Sequence, residues 1–168
     1  KEYDSALESF VTGAALWDLV VDVKEAKENG FVVSIISRAH YFGAQCANEA
    51  KKHLDAIKIA EGLVKKYPNL KNERFGLACK IEKGKALAAM GNTSEAMKIL
   101  NEVVAVGGYW GNEAATAMNK LGGGRGRTLP PDVLLALADS KLQEEDYAGA
   151  IRHAQGVLGA VRTKDEAE

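Results

Sequence analysis

Small residues recur at fixed distances along this chain, and that recurrence limits what it can build. Four short segments look alike: Tyr3-Asp4-Ser5-Ala6-Leu7, His53-Leu54-Asp55-Ala56-Ile57, Thr93-Ser94-Glu95-Ala96-Met97 and Tyr147-Ala148-Gly149-Ala150-Ile151. Each sets a small residue and then an apolar one near the start of a helical pattern. In the last three, another small residue lies twelve positions upstream, at Ala44, Gly84 and Ala138. Two antiparallel helices joined by a short turn approach closely only where the side chains at their crossing are small. The pattern therefore predicts helical hairpins that meet at Ala44/Ala56, Gly84/Ala96 and Ala138/Ala150.

Apolar spacing of three and four places the helices. Tyr3, Ala6, Leu7, Phe10, Ala14, Trp17, Val20 and Val21 share one face of a long first helix, with Trp17 assigned to the core. That helix runs into the charged stretch 24–28 and closes at Asn29-Gly30. Further helices are expected over about 31–51, 53–67, 72–90, 93–106, 112–121, 132–143 and 147–161. Pro68-Asn69 ends the third and Gly91 the fourth, while Thr93 or Ser94 supplies the cap of the fifth. Period-two alternation is nowhere sustained, so the fold class is all-α.

Composition narrows the function classes. The net charge is −1 over 168 residues, which gives no overall field favouring nucleic acid or an anionic membrane. The longest apolar runs, such as 31–36, are too short to cross a bilayer. The chain starts at Lys1 without a methionine, which fits a processed form or a piece of a longer protein. Compartment and oligomeric state are left open. Cys46 and Cys79 each fall inside an apolar helical pattern and read as buried free thiols, with a disulfide or a reactive thiol as the alternative.

The hairpin pattern resembles the tetratricopeptide repeat family. The matching residues are Gly84, Leu87, Gly91, Ala96 and Leu100 in one unit, and Ala138, Asp146, Tyr147, Ala150 and Ile151 in another. Pro68, twelve positions beyond Ala56, stands where the family carries its terminal proline. The resemblance implies a right-handed α-α superhelix of antiparallel helix pairs, tetratricopeptide-like, over residues 1–121. A Gly/Arg-rich linker follows at 122–130, then a final helix pair and charged tail at 131–168. The first segment matches only the second helix of a unit, so the first unit is incomplete. Three departures imply irregular repeats. The helix-opening alanines Ala6, Ala56, Ala96 and Ala150 are 50, 40 and 54 residues apart, against a family period of about 34. Lys80 and Lys83 occupy positions where apolar residues are usual, and Leu63, Val103 and Val157 replace small ones.

In that family the first helix of each unit lines a concave, ligand-facing groove. Carried onto this sequence, the groove presents Arg38, Tyr41, Gln45, Asn48 and Glu49, polar or aromatic residues that suit an extended peptide or a partner helix. The plain alternative is a solvated helix face. The same face carries Ala78, Ile81, Lys85 and Ala88 in the next unit, and Asp132, Leu135, Asp139, Leu142 and Gln143 in the last. It lacks the lysine-asparagine clamp by which some family members hold a terminal carboxylate. Tyr109-Trp110, flanked by glycines, is assigned to a loop, either as a recognition hot spot or as a plug between helix pairs. The stretch 122–127 lacks the Lys-Ser/Thr ending of a phosphate-binding loop and reads as a linker.

His40, His53 and His153 have no second His or Cys at metal-ligand spacing, and no nucleophile is paired with a base. The expectation is a non-enzymatic interaction scaffold with a protein or peptide partner, and with no cofactor, metal, nucleic acid or membrane insertion. The alternative is a structural segment of a larger assembly, stacking through its helical ends.

Overall fold

The computed structural model describes the backbone of residues 2–20, 30–122 and 129–165, and side chains over 2–13, 30–121 and 129–159. The expected end of the first helix near Asn29, the core role of Trp17 and most of the 122–130 linker lie outside the described residues or side chains. Among the described residues every regular element is helical. In chain order they are α1 (Glu2–Val20), α2 (Gly30–Glu49), α3 (His53–Lys66), a 3-10 turn (Pro68–Asn72), α4 (Arg74–Ala89), α5 (Thr93–Val104), α6 (Gly108–Gly122), α7 (Pro131–Gln143) and α8 (Tyr147–Asp165). They form two compact units, Lys1–Ala96 and Met97–Glu168, divided within α5.

Three of the helix-to-helix turns are the same turn. Lys51, Gly91 and Glu145 all take left-handed backbone, with φ of 60°, 86° and 60°. Behind each, two amides bond back onto the preceding helix. Lys52 N–H donates to the Ala47 carbonyl (2.8 Å), Asn92 to Leu87 (2.9 Å) and Asp146 to Lys141 (2.9 Å), while the left-handed residue itself donates three positions back. This double bond pattern satisfies carbonyls that a helix end otherwise leaves unpaired. The left-handed residue lies seven positions after Ala44, Gly84 and Ala138 and five before Ala56, Ala96 and Ala150. All six of those small residues are buried.

Capping after these turns differs from the sequence reading. Asn92, not Thr93 or Ser94, precedes the first turn of α5, and its amide donates to the Glu95 carboxylate at 2.8 Å. Asp146 accepts from the Gly149 N–H at 2.9 Å, a side-chain cap on α8.

In the first unit α2 packs on α1, α3 and α4, and α3 also packs on α4. One cluster joins Ile36 and Ala44 of α2, Ala60 and Leu63 of α3, and Cys79 of α4. A second joins Leu7, Ala47, Ala56 and Ala86 from the same four helices. Gly43 marks where three helices come together: a methyl built there would stand 3.5 Å from both Phe10 Cβ and an Ile59 methyl. α4 is buried on several faces at once, through Leu77, Ala78, Ile81, Ala86 and Leu87 among others. Lys83, set among them, extends its amine to Glu61 of α3 at 2.7 Å, so its stem packs while its charge stays paired at the rim. In the second unit α7 packs on α6 and α8, around buried Val133, Leu137 and Ala138.

The shared turn has a measurable consequence. A non-glycine residue in left-handed backbone costs about 1–2 kcal/mol, whereas glycine gives back roughly 0.5–1 kcal/mol in chain entropy. Lys51→Gly and Glu145→Gly should each raise stability by about 0.5–1 kcal/mol in urea unfolding, and Gly91→Ala should lower it by a similar amount. Gly76→Ala should be far more damaging, because its methyl would collide with the Leu70 carbonyl of the 3-10 turn against which α4 begins.

Candidate functional site

The face assigned to partner binding begins on α2, where Arg38, Tyr41, Gln45, Asn48 and Glu49 recur at helical spacing. Arg38 and Glu49 are exposed, and Tyr41, Gln45 and Asn48 half-buried. Because α2 packs on α4, this face meets residues of the next first helix at both of its ends.

At one end is a row of rings. Phe10 of α1 stacks on Phe42 at 5.9 Å, Phe42 lies 4.9 Å from Tyr41, and Tyr41 lies 6.1 Å from Phe75 of α4. Two guanidinium groups sit over Phe75: Arg38 at 6.0 Å and Arg74 at 5.3 Å from the ring centre. Neither arginine has a carboxylate partner among the described residues. An open cleft of about 730 Å³ adjoins Arg74 and Phe75, lined also by Ser34, Ser37, Asn69, Leu70 and Glu73 among others. Cation-to-ring contact holds each guanidinium plane in place and leaves its N–H groups available for an acceptor.

At the other end is a buried carboxylate that the sequence reading missed. Glu82 of α4 is only 2% exposed. Asn48 Nδ2 donates to its Oε2 and to its backbone carbonyl, both at 2.9 Å. Lys85 Nζ donates to Oε1 at 2.8 Å, and His53 Nδ1 donates to Asn48 Oδ1 at 3.2 Å. A buried charge is tolerated where it is paired and hydrogen-bonded, as here. Asn48 of α2 and Lys85 of α4 are thus brought together on Glu82, with their polar groups engaged within the chain. Glu82 is the one acidic residue between Leu77 and Leu87, but Lys80, Lys83 and Lys85 lie in the same stretch, so its charge alone did not mark it.

Three placements are corrected. Ala78 and Ile81 are core residues, so of the expected α4 groove residues Lys85 alone is exposed and Ala88 is half-buried. Tyr109 and Trp110 lie in the first turn of α6, not on a loop. Gly107 and Gly108, both left-handed, end the preceding turn and let the helix start there. The two rings meet edge to face at 4.9 Å, with Tyr109 67% exposed and Trp110 half-buried. In the second unit Asp139 accepts from Asn112 Nδ2 (3.2 Å) and Gln143 Nε2 (3.1 Å), a smaller counterpart of the Asn48–Glu82 link.

Both cysteines are free. Burial, with Glu82 nearby, pushes the Cys79 thiol up to about 12, and burial raises Cys46 as well. Among the described residues no group of three or more His, Cys, Asp or Glu is placed to hold a metal. No described helix is long and apolar enough to cross a membrane.

Two outcomes follow from this chemistry. Glu82→Ala removes the side-chain acceptor of both Asn48 and Lys85, leaving Asn48 only the backbone carbonyl, and should cost about 2–3 kcal/mol in denaturant unfolding, with Glu82→Gln milder because it keeps an acceptor oxygen. At neutral pH a thiol reagent should label half-buried Cys46 slowly, and Cys79 only on the unfolding timescale, because both stay protonated and Cys79 is enclosed; peptide mass mapping over time separates the two. Comparison of the chain with protein-family models, with curated proteins and with solved structures returns no match.

Proposed function

We propose that this chain is a non-enzymatic, tetratricopeptide-like scaffold that takes a peptide or partner protein on the face shared by α2 and α4. The observation that carries this reading is the arginine–aromatic end of that face. Arg38 and Arg74 are positioned over Phe75 and carry no carboxylate partner among the described residues, and Arg74 and Phe75 line an open cleft. Positioned charge without an internal partner serves recognition better than stability, since arginine and aromatic anchors dominate binding energy at protein interfaces.

The hairpin geometry supports the family likeness. α2 packs on both members of the next antiparallel step, α3 and α4, as stacked helix pairs do. Asn48 and Glu82 join α2 to α4 directly through hydrogen bonds. In this reading Asn48 and Lys85 hold the floor through Glu82, while Arg38, Tyr41, Gln45 and Glu49 meet the partner.

Selection from a random peptide library on the immobilised chain tests the proposal. Enriched peptides should bind the wild type and lose at least about tenfold in affinity on Arg38→Glu/Tyr41→Ala, with helicity unchanged by circular dichroism. A library that yields no sequence above background, or binders indifferent to both substitutions, rejects the groove.

A further inference from the structure

The ring-bearing end of the α2–α4 face gathers positive charge that no described carboxylate neutralises. Arg38 and Arg74 come from different helices, yet both guanidinium carbons lie within 6.0 Å of the centre of one ring, Phe75. Two like charges drawn to one ring repel each other, and neither forms an ion pair among the described residues. The imbalance is local. Segments 30–38 and 69–76 carry Arg38 and the cleft lining, and there Arg38, Lys71 and Arg74 stand against Glu73 alone. The whole chain has 22 basic residues against 23 acidic ones.

The remainder of the cleft narrows the class of ligand. Val33, Leu70 and Phe75 supply apolar surface, while Ser34 and Asn69 supply neutral groups able to bond a peptide backbone. Glu73, in the same lining, opposes a run of closely spaced phosphates. A nucleic acid strand would also need a longer track of cations than two arginines provide. Separate carboxylates meet no such conflict, because each can pair with one guanidinium through two parallel hydrogen bonds. We infer that the segment taken at this end is an acidic peptide, with Asp or Glu side chains for Arg38 and Arg74 and an apolar side chain for Leu70 and Phe75. The inference rests on the peptide-binding reading of the α2–α4 face and adds the chemistry of what is bound.

Selection from a synthetic random peptide library with amidated C-termini tests it, since amidation removes the terminal carboxylate. Enriched sequences should hold Asp or Glu above the input frequency. Resynthesised with Asn or Gln in those places, they should bind the wild type about tenfold more weakly. Arg38→Gln and Arg74→Gln should each weaken the acidic peptide by a similar factor and leave its Asn/Gln counterpart nearly unchanged. Such coupling between peptide and protein substitutions does not arise from a general loss of structure. The peptide-side change is read on the wild-type chain, so it decides the matter even if a variant unfolds. Binders weakened by Arg38→Glu/Tyr41→Ala that lack acidic enrichment, or that tolerate Asn and Gln, would overturn the inference and leave the groove standing. Binders found only in a free-acid library would give the arginines to a terminal carboxylate instead. An oligouridine probe that binds more tightly than every selected peptide, and is lost on Arg74→Gln, would overturn it in favour of nucleic acid. A library without binders removes the inference together with the groove.

Discussion

Close approach of helices at small residues is the constraint from which the described structure follows. Alanine or glycine at each crossing lets two backbones come near enough for the flanking leucines, isoleucines and valines to interdigitate. The left-handed turn fixes where along the helices this happens. With its special residue seven positions past one small residue and five before the other, the turn sets the register of the hairpin. The same register recurs three times although only one of the three turns uses glycine. Packing at the crossing therefore outweighs the local strain at Lys51 and Glu145, which is about 1–2 kcal/mol each.

Much of this was legible because it is periodic. Helix positions, the small-residue couples and the Gly91 turn all leave local marks in the sequence. Lys51 was invisible as a turn residue, since nothing about a lysine announces a positive φ. Tyr109-Trp110 was misplaced for the opposite reason: the flanking glycines do mark a turn, but Gly107 and Gly108 complete it before the aromatics, and the helix begins at once. Ala78 and Ile81 were assigned to the groove by carrying the resembled family's face over in helical phase from the small-residue anchor. Phase says which residues share a face, not how many neighbours press on the helix, and α4 is covered on several faces.

The candidate site was half legible for a related reason. The family resemblance, carried over from the small-residue anchor, picked out Arg38, Tyr41, Asn48 and Lys85, because a shared helix face is a one-dimensional property. Glu82 and Phe75 give the site its character, and they belong to it through contact between helices 34 or more positions apart in sequence. No local pattern carries that information. Glu82 in particular lies on the core side of its helix, where a carboxylate is tolerated only because Asn48 reaches in from α2 and Lys85 folds back over it.

This division gives the α2–α4 face its physical logic. At one end Asn48, Glu82, Lys85 and His53 form a polar network with its donors and acceptors matched inside the chain, and removing a member strands another in a poorly hydrated site. Such a network fixes the spacing and rotation of α2 against α4. Tyr41 and Phe75, on those same two helices, then hold their rings about 6.1 Å apart, with Arg38 and Arg74 resting on the Phe75 ring. In the proposed reading a surface held this way would lose little side-chain entropy on binding, and preorganisation is what allows a modest contact area to bind usefully. Under the proposed reading, stability and recognition fall to different residues of one helix: Asn48 holds the face in place, and Arg38, ten positions earlier, is left open.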